Sequence, residues 1–129
     1  MDYYFKKELH NIGFEQAIAK TTEALKKEGF GVLTEIDIKA TLKKKLDVDF
    51  RNYKILGACN PAFAYKALLA EDTIGTMLPC NVILQEKNTG SIEISAVDPA
   101  ASMQAVANDS LNVIAGEVRD KLKRMIEGL

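Results

Sequence analysis

The stretch LPCNVILQEKNTGSIEISAV (78–97) decides the fold. Leu78–Lys87 is a nearly continuous apolar run, and Asn88-Thr89-Gly90 supplies the residues of a tight turn. Ser91–Val97 answers with strict alternation. Ile92, Ile94 and Ala96 fall on one face, Glu93 and Ser95 on the other, which is the period-2 pattern of a strand with one face buried. Two such runs about a short glycine-containing turn make a β-hairpin.

Downstream, Asp98-Pro99 opens a short helix expected to reach about Val106. Asn108-Asp109 interrupts it and caps a final helix over 110–127. There Leu111, Ile114, Ala115, Val118, Leu122, Met125 and Ile126 form one apolar stripe, with Glu117 and Lys121 four apart on the outer side. Upstream, Arg51–Ala58 reads as a strand and Cys59-Asn60-Pro61 opens a helix over 61–70, Asn60 as N-cap and Pro61 at the first helical position. Gly31–Lys39 reads as a strand with Val32, Thr34, Ile36 and Ile38 on one face and Leu33, Glu35 and Asp37 on the other. Residues 40–47 give one or two basic helical turns.

At the start, residues 2–8 (DYYFKKE) read as a first strand, broken by Asn11-Ile12-Gly13. Phe14, Ala17, Ile18 and Leu25 then share a helical face that Thr21 interrupts, and Gly29 stands where a left-handed cap is wanted. The order β-α-β-(α)-β-α-β-β-α(α) predicts an α+β fold. Its sheet is largely antiparallel, with at least four strands, and helices 14–28 and 110–127 pack on one face. A chain of 129 residues is sized for one domain over 1–129.

Composition narrows function by exclusion. The chain is 47% hydrophobic and 27% charged, ordinary globular values that exclude global disorder. Seventeen basic against eighteen acidic residues give a net charge of −1, so the basic excess of a general nucleic-acid binder is missing. No apolar run reaches membrane-spanning length, and MDYYFKKELHN lacks the pattern of a secretory signal. Neither nucleic acid nor membrane is an expected partner. The two cysteines are then expected as reduced thiols in the cytoplasm.

Those cysteines carry the most chemistry. Cys59-Asn60 and Cys80-Asn81 are the same dipeptide, each beside a proline, Pro61 or Pro79. As a functional pair, the thiols suit a soft metal, disulfide exchange or oxidation sensing. As structural residues, both are small buried hydrophobes, Asn60 caps a helix and Asn81 ties down a loop. A simple crossover would put the cysteines at opposite ends of parallel strands, whereas a chain reversal over 72–78 would bring them together.

Glu35 and Asp37, two apart on a strand, form an acid–base pair or a solvated face balanced by Lys39 and Lys43–Lys45. His10 stands alone. Two cysteines and one histidine do not fill a zinc site of four ligands, so no metal or cofactor is expected. Nucleophile-elbow, Walker, dinucleotide and zincin motifs are all missing, and the chain leans away from an enzyme.

Four phrases, EGFGVLTEIDI (28–38), YKILGACNP (53–61), LPCNVIL (78–84) and ISAVDP (94–99), together resemble the family of domain of unknown function 302. The resemblance runs from about Phe14 to the final helix. It implies a compact α+β fold related to the TATA-binding-protein type and a homodimer, and it implies no particular activity. The residues add a reason for the dimer. Tyr3, Tyr4 and Phe5 in a row place at least one aromatic away from the core of its own chain, on a strand that a second copy would cover unless Lys6 and Lys7 protect it. The leading expectation is a non-enzymatic dimeric module that holds a small ligand or a partner in a cleft between sheet and helices. The alternative is a thiol-dependent redox or metal-responsive protein using Cys59 and Cys80. An apolar cavity beside the cysteines favours the first, and an exposed thiol pair favours the second.

Overall fold

The computed structural model describes residues 2–129. Five strands form one antiparallel sheet: β1 (Tyr4–Leu9), β2 (Gly31–Asp37), β3 (Tyr53–Cys59), β4 (Cys80–Glu86) and β5 (Ile92–Val97), in the order β1-β5-β4-β3-β2. The 78–97 hairpin is its centre, with Leu84 opposite Ile94 and Gly90 at φ +86° in the turn. Helices α1 (Phe14–Lys27) and α5 (Asp109–Glu127) cover one face. Leu25, Leu56, Val82, Leu84, Ile94 and Leu122, each with no exposed surface, close-pack between them. Thr21, also fully buried on α1, is tolerated because its hydroxyl donates to the Ala17 carbonyl at 2.8 Å.

A second, smaller cluster lies beside the first. It joins α3 (Pro61–Ala70) and a 3-10 segment (Asp72–Met77) to the N-terminal half of α5 through Ala67, Ile74, Met103, Leu111 and Ala115. Asn108 fixes the junction: its Oδ1 accepts from the Leu111 N–H at 3.1 Å and its Nδ2 donates to the Ala70 carbonyl at 2.8 Å. α3 therefore runs antiparallel to α5.

Three expectations are corrected. Ile38 and Lys39 belong to α2 (Ile38–Leu46), because the Asp37 carboxylate accepts from the Ala40 N–H at 2.9 Å and ends the strand by capping the helix. The faces of β2 also differ from simple alternation. The pairing with β3 slips between Val32 and Thr34, a bulge that puts Val32 opposite Ala58 and Thr34 opposite Gly57. Val32 shares the helix-covered face with Glu35 and Asp37, while Thr34 and Ile36 look away. The short helix α4 covers only Pro99–Ser102, since the chain must turn at Met103, which is buried, to deliver Asn108 as the cap of α5.

On the uncovered sheet face Glu93 and Ser95 point away from the helices, as their alternation requires, yet both are buried. Gln85 accounts for Glu93: its Nε2 donates to Glu93 at 3.2 Å while its Oε1 accepts from Arg51 at 3.0 Å. Among the described residues no helix is long and apolar enough to cross a membrane.

Candidate functional site

The two core clusters touch through Ile114, which packs against both. Between them lies a cavity of about 330 Å³, walled by Phe30, Ala58 and Val118 from one side and Ala67, Met103 and Leu111 from the other. Small side chains leave the space open. Ala58, Ala64, Ala67 and Ala115 and the backbone of Gly75 face it where larger residues would close it. Wall residues that reach solvent, Leu33 (66% exposed) and Leu68 (42%), mark its mouth between the β2 edge and α3.

Four of the eight candidate residues meet in this wall: Cys59, Asn60, Pro79 and Cys80. The reversal over 72–78 is the arrangement the chain adopts. β3 and β4 are antiparallel, and Ala58 stands directly opposite Cys80. Cys59 is one residue diagonal to Cys80, which puts their Cα atoms roughly 6 Å apart. Both thiols are free, Cys59 half-buried and Cys80 buried. Asn60 is committed to structure. It receives the Phe63 N–H at 3.5 Å as N-cap of α3 and donates to the Glu28 carbonyl at 3.4 Å, tying α3 to the end of α1.

The other four candidates lie elsewhere. Pro61 is exposed in the first turn of α3. Asn81 pairs with Gly57 and faces the opposite side of the sheet, beside Tyr3, Tyr4 and Tyr53, so the two Cys-Asn dipeptides are not equivalent. Glu35 and Asp37 share a face on the exposed β2 edge, where Asp37 is the cap of α2. Neither reaches the cavity wall. Among the described residues no three His, Cys, Asp or Glu side chains converge as metal ligands.

Sequence reasoning did not find Phe30, Phe63, Met103 or Leu111 as site residues. One signal was available: apart from Lys66, α3, PAFAYKALLA, is apolar round its whole circumference, although Tyr65 (66% exposed) and Leu69 (70%) stand in solvent. A helix that is apolar all round has more than one apolar neighbour to meet.

Burial, and secondarily the adjacent Cys59, push the Cys80 thiol from its ordinary 9.0 up to about 11. At neutral pH it is a thiol, a poor nucleophile and a small apolar wall element. The folded chain holds this proton more tightly than the unfolded chain. Stability is therefore full below pH 9.0 and falls as pH rises toward 11. Urea unfolding at pH 8 and pH 10.5 should show wild type losing on the order of 1–2 kcal/mol more than Cys80→Ala over that interval. Equal losses would mean that the thiol titrates normally.

Comparison with known proteins gives a family model described as "Domain of unknown function DUF302", which matches residues 5–129. A solved structure, described as that of an uncharacterized conserved protein DUF302 from Bacillus stearothermophilus, is 27% identical. It superimposes with a TM-score of 0.88, covering 97% of this chain and 96% of that one. No curated protein matches the chain.

Proposed function

The chain belongs to the DUF302 family, and from that premise we propose that it is a binding module for a small apolar ligand held in the cavity between its two core clusters. The observation that carries this reading is the cavity itself. The cavity opens to solvent at its Leu33 and Leu68 mouth and is lined almost wholly by apolar side chains. At about 330 Å³ it falls in the size range of small-molecule sites. The wall supports a binding reading. Its polar or reactive side chains are Cys59, Cys80 and Asn60, and Asn60 is committed to capping α3.

A neutral fluorescent probe, N-phenyl-1-naphthylamine, tests the reading. Wild type should bind it saturably with blue-shifted emission. Ala64→Phe, which projects a ring into the cavity from a half-buried position on α3, should weaken binding at least tenfold with little change in thermal midpoint. Absence of saturable binding, or equal binding by the variant, would refute it.

A second reading, a reversible disulfide, has its own observation, the nearness of Cys59 and Cys80 on neighbouring strands, but Ala58 and not Cys59 stands opposite Cys80, so strand alternation turns the two thiols toward different faces. The raised proton affinity of Cys80 weighs against it as a fast redox sensor.

The module is also proposed to work as a homodimer. β1 is an edge strand paired only with β5, and it carries Tyr4 and the 68%-exposed Tyr3 on or beside its free border. A second copy on that border would form a two-fold interface. Sedimentation should give a dimer for wild type at micromolar concentration and a folded monomer for Tyr4→Glu. A wild-type monomer would overturn the proposal.

A further inference from the structure

Resting on the cavity reading, we infer that the ligand is an anionic amphiphile, an apolar body ending in one negative group, with the body in the cavity and the negative end at Lys66 and Lys121. The cavity wall is uncharged, but one of its rings is not isolated from charge. Phe63 walls the cavity from α3, and two ammonium groups lie over its ring: Lys66 Nζ at 5.5 Å from the centroid and Lys121 Nζ at 5.9 Å. They come from different helices. Lys66 stands one turn beyond Phe63 on α3, and Lys121 stands one turn beyond Val118, the last wall residue of α5.

The antiparallel course of the two helices brings both cations to one end of the cavity, the end formed by Asn60, Phe63 and Val118. Neither has a carboxylate to neutralise it. The ion pairs among the described residues involve Lys43, Lys87, Arg119 and Arg124, and Lys121 does not pair with Glu117 four residues before it. Two cations without ion-pair partners at one aromatic ring make this end of the cavity electropositive. Charge complementarity therefore selects an anionic terminus over a neutral or cationic one.

Octanoate, 1-octanol and octylammonium share a tail and differ in the sign of the head. Calorimetric titration below micelle-forming concentrations should rank octanoate tightest and octylammonium weakest, with about tenfold or more between them at low salt. The double variant Lys66→Gln/Lys121→Gln should lose the advantage of octanoate over octanol and leave octanol binding unchanged within twofold. Salt at about 0.5 M should compress the ranking in wild type, because screening acts on the heads alone. Octanol binding with no charge ranking, or a ranking that survives the double variant, would overturn the inference and leave the cavity reading standing. Failure of octanol itself to bind wild type would overturn both.

Discussion

Gly57→Ala is expected to lower stability by about 3 kcal/mol and the thermal midpoint by about 10 °C, a large loss for a single methyl group. Gly57 lies on the uncovered face of β3, opposite Asn81 on one side and Thr34 on the other. A Cβ there would overlap Thr34 Oγ1 and come within 2.8 Å of Pro79 Cγ. Both neighbours resist displacement. Thr34 is β-branched and sits just past the bulge that sets the β2 register, and the Pro79 ring has no free χ rotation. The strand would have to move, and with it Ala58 and Cys80 on the other face.

Thr34→Ala removes the closer of the two obstacles, so the double variant Gly57→Ala/Thr34→Ala should recover at least about 1 kcal/mol relative to the sum of the single changes. A thermal midpoint for Gly57→Ala equal to wild type would show that the close approach is not a constraint.

Asp98→Ala should cost a similar amount by a different route. Asp98 is 4% exposed, and one carboxylate oxygen accepts from the Ala100 and Ala101 N–H groups at 3.0 and 3.4 Å, capping α4. The other accepts from Arg119 Nε at 3.2 Å, and the Arg119 guanidinium lies 5.1 Å over the Phe5 ring of β1. One carboxylate thus joins the end of β5, the turn into α4, the middle of α5 and an edge strand.

Alanine would leave two backbone donors and a guanidinium without their acceptor, on the order of 3 kcal/mol together. Asp98→Asn keeps an oxygen for the cap and removes only the charge, so its loss should be about half as large. Arg119 is about one-third exposed and can turn to water, which makes Arg119→Met milder still. Urea midpoints for the three variants test this order. Asp98→Ala within about 0.5 kcal/mol of wild type would refute it.

What the chain discloses before folding depends on how local the cause is. The hairpin, the stripe of α5 and the Asn60-Pro61 start of α3 were legible because periodicity and caps act over a few residues. The faces of β2 were not, because the slip between Val32 and Thr34 is settled by pairing with β3 and leaves no mark on either residue. The end of that strand depended on which role Asp37 took, a strand position or a helix cap.

The site was half legible. Cysteine marked one end of the wall, but the cavity lies between two clusters whose residues interleave along the chain and are sorted only by the fold. Cys59-Asn60 and Cys80-Asn81 look identical as dipeptides. They part company because Asn60 leaves the sheet to cap α3 while Asn81 stays in β4 and faces the other side.

The alanines that hold the cavity open give the molecule room to diverge. Ala58 sits in β3, but Ala64 and Ala67 belong to α3 and Ala115 to α5, so these three take no part in the backbone ladder of the sheet. A change from methyl to a larger group at any of them reshapes the space and leaves every strand pairing intact. Shape and scaffold can thus vary separately: single substitutions can remould the cavity while the frame that carries them stays the same.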